Sequence, residues 1–271
     1  TATAIITILA TLFSGLWSNT PIAMSVGMGL NAYFSYGLVL GMKLPWQTAL
    51  GIVFISGLLF VILSFTNFRV WIMTSIPMAL RRAISAGIGT FIAFIGLKQM
   101  GMIVDNPATL VGIGDFSNTN VFLGVIGLLL AFVFYAYKLK GAFIFSISIT
   151  SIIGWVFGIG DAPTEFFAAP ASIEPILMQL DIASAFTLAL FPVVVTFLIP
   201  DMFDTLGTLT GVGARADLFQ ENNKDDKSLQ KTLEADAVAT VGGSLLGVST
   251  TTSFIESASG VEEGGRTGLT A

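Results

Sequence analysis

The sequence contains no cysteine and no histidine among its 271 residues. The lack of cysteine excludes disulfides and thiolate chemistry, and the two absences together exclude Cys/His metal sites and Ser-His-Asp catalysis. Charged residues are scarce as well, at 11%, against about a quarter in an ordinary soluble domain. Any proton transfer must therefore use carboxylates, and we expect neither a cofactor nor a metal.

Apolar residues, by contrast, make up 54% of the chain, which indicates a polytopic membrane protein surrounded by a lipid bilayer. The 29 glycines fit this class, because close helix packing in a bilayer relies on small residues. A helix needs about 20 mostly apolar residues to cross a membrane. We therefore expect an all-α, multi-pass protein of a plasma or bacterial inner membrane, with spans near residues 2–18, 47–65, 83–104, 121–137, 141–160 and 185–213.

Basic residues are distributed as the positive-inside rule requires. If the first span begins outside and ends at the cytoplasmic side, every Lys and Arg except Lys43 and Lys98 falls on the cytoplasmic side. The hydrophilic stretch 221–231 is then interpreted as a solvated cytoplasmic connector. No basic patch indicates binding to nucleic acid.

The stretch 20–40 is apolar but too interrupted by Gly, Ser and Asn to form a simple helix. Pro21 resists a position inside a helix, and Gly27 permits backbone conformations that side chains would forbid. This pattern predicts a short extended piece, a glycine turn, and then a helix that begins near Leu30 and carries Asn31 in its first turn.

The stretch 235–262 has the same plan, because its apolar residues are broken by Gly, Ser and Thr. Ser253-x-x-Glu256 has the spacing of a capping box, which predicts a helix start at that point. Non-helical backbone at membrane depth is tolerated only inside protein or along a watery cavity, and two such broken spans point to the binding site of a transporter. The alternative is a pair of kinked helices, with Asn31 only bridging two spans.

Asp201 and Asp204 lie within the long apolar stretch 185–213, three residues apart and therefore on one helical face. A charge at the bilayer centre costs about 2.5 to 3.5 kcal/mol, so such carboxylates usually face a cavity or a partner. No Lys or Arg is near them in sequence. Desolvation and mutual repulsion then favour protonated forms of these aspartates and of Glu256, which suits proton coupling.

The same groups fit the edge of a purine base. A carboxylate accepts hydrogen bonds from neighbouring ring and amino N–H groups, and the Asn31 amide offers one donor side and one acceptor side. Three phenylalanines near these polar groups are candidates for stacking on a base: Phe34, Phe203 and Phe254. A purely structural role is the alternative, with Asp201 capping a helix segment after Pro200 and Glu256 serving only its capping box.

Three motifs, in this order, resemble those of the azaguanine-type (AzgA-like) purine permeases of the nucleobase-ascorbate transporter (nucleobase:cation symporter-2) group. They are Gly27-Met-Gly-Leu-Asn-Ala-Tyr-Phe34, Asp201-Met-Phe-Asp-Thr-Leu-Gly-Thr-Leu209 and the run from Ser249 to Thr270. The resemblance implies fourteen spans in two inverted repeats of seven, with short antiparallel strands in the two broken spans at the midplane. It also implies substrate-binding roles for Gly29, Asn31, Asp201, Asp204 and Glu256, of which the three carboxylates are the proton-coupling candidates.

The resemblance further implies how the chain divides. Residues 1–68 would form the first part of a core domain (spans 2 to 4), 69–181 half of a gate domain (spans 5 to 7), and 182–271 the second part of the core (spans 8 to 10 and the start of 11). The sequence would then be a fragment that lacks the first and the C-terminal spans of a homodimeric carrier. Such carriers bring adenine, guanine and hypoxanthine inward with protons.

Two other functions remain as alternatives. An anion transporter of the related sulfate and bicarbonate class also uses broken helices, although three carboxylates would repel an anion. An intramembrane aspartyl protease needs carboxylates from two different spans, whereas Asp201 and Asp204 share one helix. We therefore expect a transporter and not an enzyme.

Overall fold

The computed structural model describes residues 1–64, 78–139, 141–159, 169–216, 218–219 and 227–271. The chain forms two compact units, one of residues Thr1–Ile88 with Pro170–Ala271 and one of Gly89–Ala169. The expected boundary between core and gate at residues 68 and 69 lies outside the described residues. The assignment of segments to core and gate domains stays a prediction.

The described residues form mainly helices, joined with two pairs of short strands. In chain order the elements are α1 (Ala2–Ser18), β1 (Met24–Val26), α2 (Met28–Ala32) continuing as a π-helical segment (Tyr33–Gly41), α3 (Trp46–Ser64), α4 (Met78–Gln99), β2 (Ile103–Asn106), β3 (Leu110–Ile113), α5 (Thr119–Ala136), α6 (Ala142–Val156), α7 (Ile182–Ala185), α8 (Phe191–Ala216), α9 (Ser228–Leu245), β4 (Thr251–Ser253) and α10 (Ser257–Glu262).

Three helices within the described residues are long and apolar enough to cross a membrane, namely α3, α5 and the Phe191–Gly213 part of α8. Helices α1 and α6 are also apolar but shorter. Only 6% of the apolar stretch in α5 is buried within the protein. Such a large exposed apolar surface suits lipid rather than water.

The sequence-based spans agree with α1, α3, α5 and α6 to within a few residues. The expected span 83–104 is wrong at its end, because α4 ends at Gln99 and Gly101 adopts a positive φ of 77°. A hairpin follows, in which β2 and β3 pair antiparallel from Ile103↔Ile113 to Asn106↔Leu110. The sequence analysis missed this hairpin because its valines and isoleucines continue the apolar pattern of the helix.

The second broken stretch is present, but its expected start at residue 235 is wrong. A continuous helix, α9, runs over Ser228–Leu245 and takes in the end of the stretch that was interpreted as a connector. Small side chains let it approach α3 closely, since a Cβ on Gly57 would lie 2.9 Å from Thr240 Cγ2. The chain breaks only after this helix, at Gly247, whose φ is 80°.

The first unit is centred on α8, which contributes to two hydrophobic clusters. One joins Phe203, Leu206 and Leu209 of α8 with Phe60 of α3 and Ile22. The other joins Phe197 of α8 with Leu38 of the π-helical segment and with α3. These clusters fix α8 beside both interrupted segments, and α2, β4 and α10 all contact it.

Candidate functional site

The two interrupted segments meet in a two-stranded antiparallel ribbon. Strands β1 and β4 pair with Met24 opposite Ser253 and Val26 opposite Thr251. Backbone hydrogen bonds continue the pairing at both ends, from Gly27 N–H to Thr250 O and from Phe254 N–H to Ala23 O, each at 2.9 Å. The expected short antiparallel strands are therefore present, and they connect segments more than 200 residues apart.

Side chains from neighbouring helices hold the outer edges of this ribbon. The Thr11 hydroxyl of α1 donates to Met24 O and accepts from Met24 N–H, both at 3.0 Å. On the other edge, the Thr240 hydroxyl of α9 donates to Thr251 O at 2.7 Å. An isolated two-stranded ribbon is only marginally stable, so these bonds replace the partners that further strands would provide.

Asp236 of α9 is the polar centre beside the ribbon, and none of its surface is exposed. One carboxylate oxygen accepts from Ser253 N–H (2.8 Å) and Ser253 Oγ (2.9 Å), and the other accepts from Thr205 Oγ1 (2.7 Å). Because Thr205 donates its only hydroxyl hydrogen to Asp236, its contact of 3.0 Å with Thr252 Oγ1 must be donated by Thr252. This network joins α8, α9 and β4.

The sequence analysis did not select Asp236. The available signal was a carboxylate inside the apolar run Ala235-Asp-Ala-Val-Ala239, because an ionisable residue within a membrane segment is a functional candidate by default. The signal is hidden in the sequence, because α9 begins within the hydrophilic stretch 221–231 and ends within the stretch 235–262, which is broken by Gly, Ser and Thr.

The predicted capping box at Ser253 and Glu256 is not formed. Ser253 is the last residue of β4, and its hydroxyl donates to Asp236 instead of accepting from a backbone N–H at a helix start. The helix α10 begins at Ser257, and Glu256 is its N-cap residue without a side-chain capping bond. Glu256 is thus exposed at the start of the helix and not one turn inside it.

Asn31 and Gly29 both lie on α2, which starts at Met28 after Gly27 and not at Leu30. Asn31 is exposed, and its Oδ1 accepts a hydrogen bond of 3.0 Å from the hydroxyl of Ser249, which is 3% exposed. Asn31 therefore connects one interrupted segment to the other. Gly29 is half-buried on the same turn.

The two aspartates of α8 occupy different environments. Asp201 is 1% exposed, whereas Asp204 is half-buried and close enough to Glu256 for electrostatic repulsion between the carboxylates. The structure thus brings Asp204 and Glu256 together and places Asp201 deeper in the protein. Helix α8 continues through Pro200, so Asp201 does not cap a separate helix segment after this proline.

The three stacking candidates differ in their burial. Phe203 is 3% exposed and belongs to the cluster around Leu206 and Leu209. Phe34 is half-buried and packs against the cluster around Phe197, and Phe254 is half-buried next to β4. Their role in stacking on a base stays a prediction.

Comparison with known sequences shows a match to the permease family Xan_ur_permease over residues 1–271. Similar proteins include MJ0326 of Methanocaldococcus jannaschii, which carries the name of a permease (47% identity), the adenine permease AdeP of Escherichia coli (38%) and the guanine/hypoxanthine permease PbuG of Bacillus subtilis (40%). Each match covers 99% or 100% of this chain and 60 to 62% of the relative. The chain thus spans about three fifths of the length of these relatives.

Comparison with solved structures shows a similar fold in the transmembrane domain of the cyanobacterial bicarbonate transporter BicA. The TM-score is 0.71, over 99% of this chain and 70% of that chain, at 14% sequence identity. At this identity the likeness shows the fold alone, which is that of a multi-pass membrane transporter.

Proposed function

The chain belongs to the Xan_ur_permease family, whose members are transporters and not enzymes, and on this premise we propose that it acts in the proton-coupled uptake of purine nucleobases. The substrates proposed are adenine, guanine and hypoxanthine, carried across the cell membrane by alternating access. Relatives at 38 to 40% identity over nearly the whole chain are named adenine permease and guanine/hypoxanthine permease. The resemblance of the three sequence motifs to purine permeases agrees with these names.

The observation that carries the proposal is the meeting of two interrupted segments beside a carboxylate-bearing helix. Asn31 comes from one segment and Glu256 from the other, while Asp204 of α8 lies close to Glu256. We assign Asn31 and Glu256 to hydrogen bonds with the edge of the base, because an amide and a carboxylate complement its alternating donors and acceptors. Gly29 has no side chain, so the base can approach the backbone of α2 closely.

Proton coupling is assigned to the carboxylates at this site. Two carboxylates that repel each other gain when a proton or a substrate N–H group binds between them. Asp204 and Glu256 are in this situation, and Asp201 lies one turn before Asp204 on the same helix. A protonated Asp204 could donate to a ring nitrogen of the base while Glu256 still accepts from its N–H groups, so binding of a proton and of a purine would favour each other.

The architecture of the complete carrier is part of the same proposal. We assign residues 1–68 and 182–271 to the core domain and 69–181 to half of the gate domain of a homodimer with two inverted repeats of seven spans. The ribbon of β1 and β4 would lie at the midplane of the bilayer. Support comes from the fold shared with a transporter membrane domain and from the greater length of the relatives.

Anion transport is the second function to consider, because the structural neighbour is a bicarbonate transporter. That likeness concerns the fold alone. Asp204 and Glu256 would repel an anion, and relatives at much higher sequence identity are named for purines. The chemistry of the site therefore favours an uncharged base with N–H donors.

Binding of radiolabelled hypoxanthine and adenine to the purified full-length protein tests the site. We expect the variants Asn31→Ala, Asp204→Asn and Glu256→Gln each to weaken binding by about tenfold or more, since the first and third alter groups assigned to hydrogen bonds with the base and the second removes the carboxylate beside Glu256. Asp105→Asn is the matched control, because Asp105 is exposed on the β2–β3 hairpin. Wild-type affinity in all three site variants would reject this assignment.

A further inference from the structure

A surface cavity of about 500 Å³ lies where α1 ends and α9 begins, among residues that have no role in the proposed purine site. Three cationic side chains line it, those of Lys227, Lys231 and Arg266, together with the polar residues Asn19 and Ser228. No carboxylate is among the described residues that line this cavity. The described part of its lining thus carries positive charge, which attracts an anionic group.

Two of the three cations, those of Arg266 and Lys231, are held in place by the surrounding structure. Nη1 of Arg266 donates to the carbonyl oxygens of Val261 (2.6 Å) and Gly265 (2.7 Å), which fixes the guanidinium group. Its Nε and Nη2 N–H groups remain as donors toward a ligand. Nζ of Lys231 lies 5.6 Å from the ring centroid of Trp17, within the range of a cation–π contact.

The backbone adds to the positive charge on one side of the cavity. Lys227 is the N-cap residue of α9, an 18-residue helix. The first turn of a helix carries a partial positive charge from the aligned peptide dipoles, which favours an anion there. Guanidinium and ammonium groups beside a helix start are the usual partners of a phosphate.

The position of the cavity at the membrane surface follows from α1. One face of this helix exposes the apolar side chains of Leu9 and Phe13, and such a surface suits lipid in a membrane. The face ends at Trp17, whose Nε1 donates to Glu234 Oε2 at 3.1 Å. Tryptophan side chains collect at the level of the lipid headgroups, with the ring toward the hydrocarbon and the N–H group toward polar partners.

We propose that this cavity binds the phosphate group of an anionic phospholipid, with the acyl chains lying along the apolar face of α1 that carries Leu9 and Phe13. Basic pockets between membrane helices on the cytoplasmic side are suited to such headgroups, and the positive-inside pattern predicts that Lys227, Lys231 and Arg266 lie on that side. A free phosphate ion would use the same three cations. It would gain nothing from the apolar face of α1, which is why the lipid is the favoured source of the phosphate.

The test uses the purified full-length protein in a neutral detergent and measures its apparent Tm during titration with phosphatidylglycerol. Phosphatidylcholine and inorganic phosphate are titrated in parallel. We expect phosphatidylglycerol alone to raise the Tm. In the double variant Lys227→Gln/Lys231→Gln its apparent affinity should fall about 30-fold, because each cation near the surface contributes about a factor of five.

The control is Lys98→Gln, which removes one positive charge from an exposed residue of the other unit and so matches each single lysine variant. It should bind phosphatidylglycerol like the wild type. The single variants Lys227→Gln and Lys231→Gln replace the double variant if its lipid-free Tm is lowered, and each should then weaken binding about fivefold.

Two outcomes would overturn the proposal. Equal affinity for phosphatidylglycerol in the wild type and in the lysine variants would show that the cavity is not the binding site. Equal stabilisation by inorganic phosphate would show that the lipid is not the source of the phosphate. No purine enters this measurement, so its failure is distinct from a failure of the proposed transport function.

Discussion

Asp236 illustrates how a buried carboxylate can fix the backbone where two interrupted segments meet. It accepts two hydrogen bonds from Ser253 and one from Thr205, and so sets the position of β4 relative to α8. Glu256 follows β4 by three residues, and Asp204 precedes Thr205 by one. The relative position of Asp204 and Glu256 therefore depends on Asp236.

Replacement of Asp236 by alanine should lower both stability and purine binding. Three buried donor groups would lose their acceptor, and each unsatisfied buried group costs about 1 to 3 kcal/mol. We expect the apparent Tm of the purified protein to fall by about 5 to 10 °C. Asp105→Ala is the control, because its surface ion pair with Lys98 contributes little. A Tm within about 2 °C of the wild-type value in Asp236→Ala would contradict the role given to this network.

At this scale the sequence reveals residue types but not their partners. The pattern Ser253-x-x-Glu256 fits a capping box, yet the Ser253 hydroxyl bonds to Asp236, 17 residues away. A local pattern cannot show whether a hydroxyl will accept from a nearby backbone N–H or donate to a distant carboxylate once the chain has folded. Asn31, Asp204 and Glu256 could be selected from sequence because strongly polar residues are rare in apolar segments.

The ribbon is the element that joins the two interrupted segments, and its packing depends on Gly27. A Cβ at this position would lie 2.8 Å from Thr252 Cγ2, closer than side chains normally approach. Gly27 has a φ of −64°, so a side chain would be excluded by contact and not by backbone conformation. The close packing of residue 27 against Thr252 of β4 therefore requires a glycine at position 27.

Gly27→Ala should lower the apparent Tm, because overpacking costs about 1 to 3 kcal/mol. Thr252→Ser removes the obstructing methyl group but keeps the hydroxyl that donates to Thr205, so it should restore part of the loss in the double variant. The Tm values of the wild type, the two single variants and the double variant are converted to free energies of unfolding and form a double-mutant cycle. The expected coupling between the two positions is about 1 to 2 kcal/mol.

A second glycine provides the control for this cycle. Gly96 lies inside α4, and a Cβ added there would meet no neighbouring atom of the described residues within 4 Å. Gly96→Ala should leave the Tm unchanged or raise it, since alanine favours a helix by up to about 1 kcal/mol. Strictly additive effects of Gly27→Ala and Thr252→Ser would show that the two residues do not meet as described.

At the scale of elements, long apolar stretches were predicted well and their ends were not. The bounds of α1 and α3 agree with the expected spans within one residue. The first residues of α9 are hydrophilic and hide its start, whereas Ile103 and Val104 of the β2–β3 hairpin continue the apolar pattern of the preceding helix. Composition indicates which segments are apolar, but a short apolar segment can form either a helix or a strand.

For the molecule as a whole, composition led to a membrane transporter with carboxylates at its site. The motifs resembling those of purine permeases added the purine, and the names of relatives at 38 to 40% identity agree with it. Neither the division into core and gate domains nor the dimer follows from composition, because both depend on surfaces that meet only in the complete protein. These stay proposals.

Uptake of radiolabelled hypoxanthine, guanine and adenine by cells that lack their own purine permeases tests the central claim most directly. The full-length protein, Glu256→Gln and the control Glu174→Gln, an exposed residue outside the helices, would be compared at equal amounts in the membrane. We predict uptake of at least one of these bases that rises with an inward proton gradient, is abolished in Glu256→Gln and is retained in Glu174→Gln. Uptake at background level for all three bases, with the wild-type protein present in the membrane, would contradict the account.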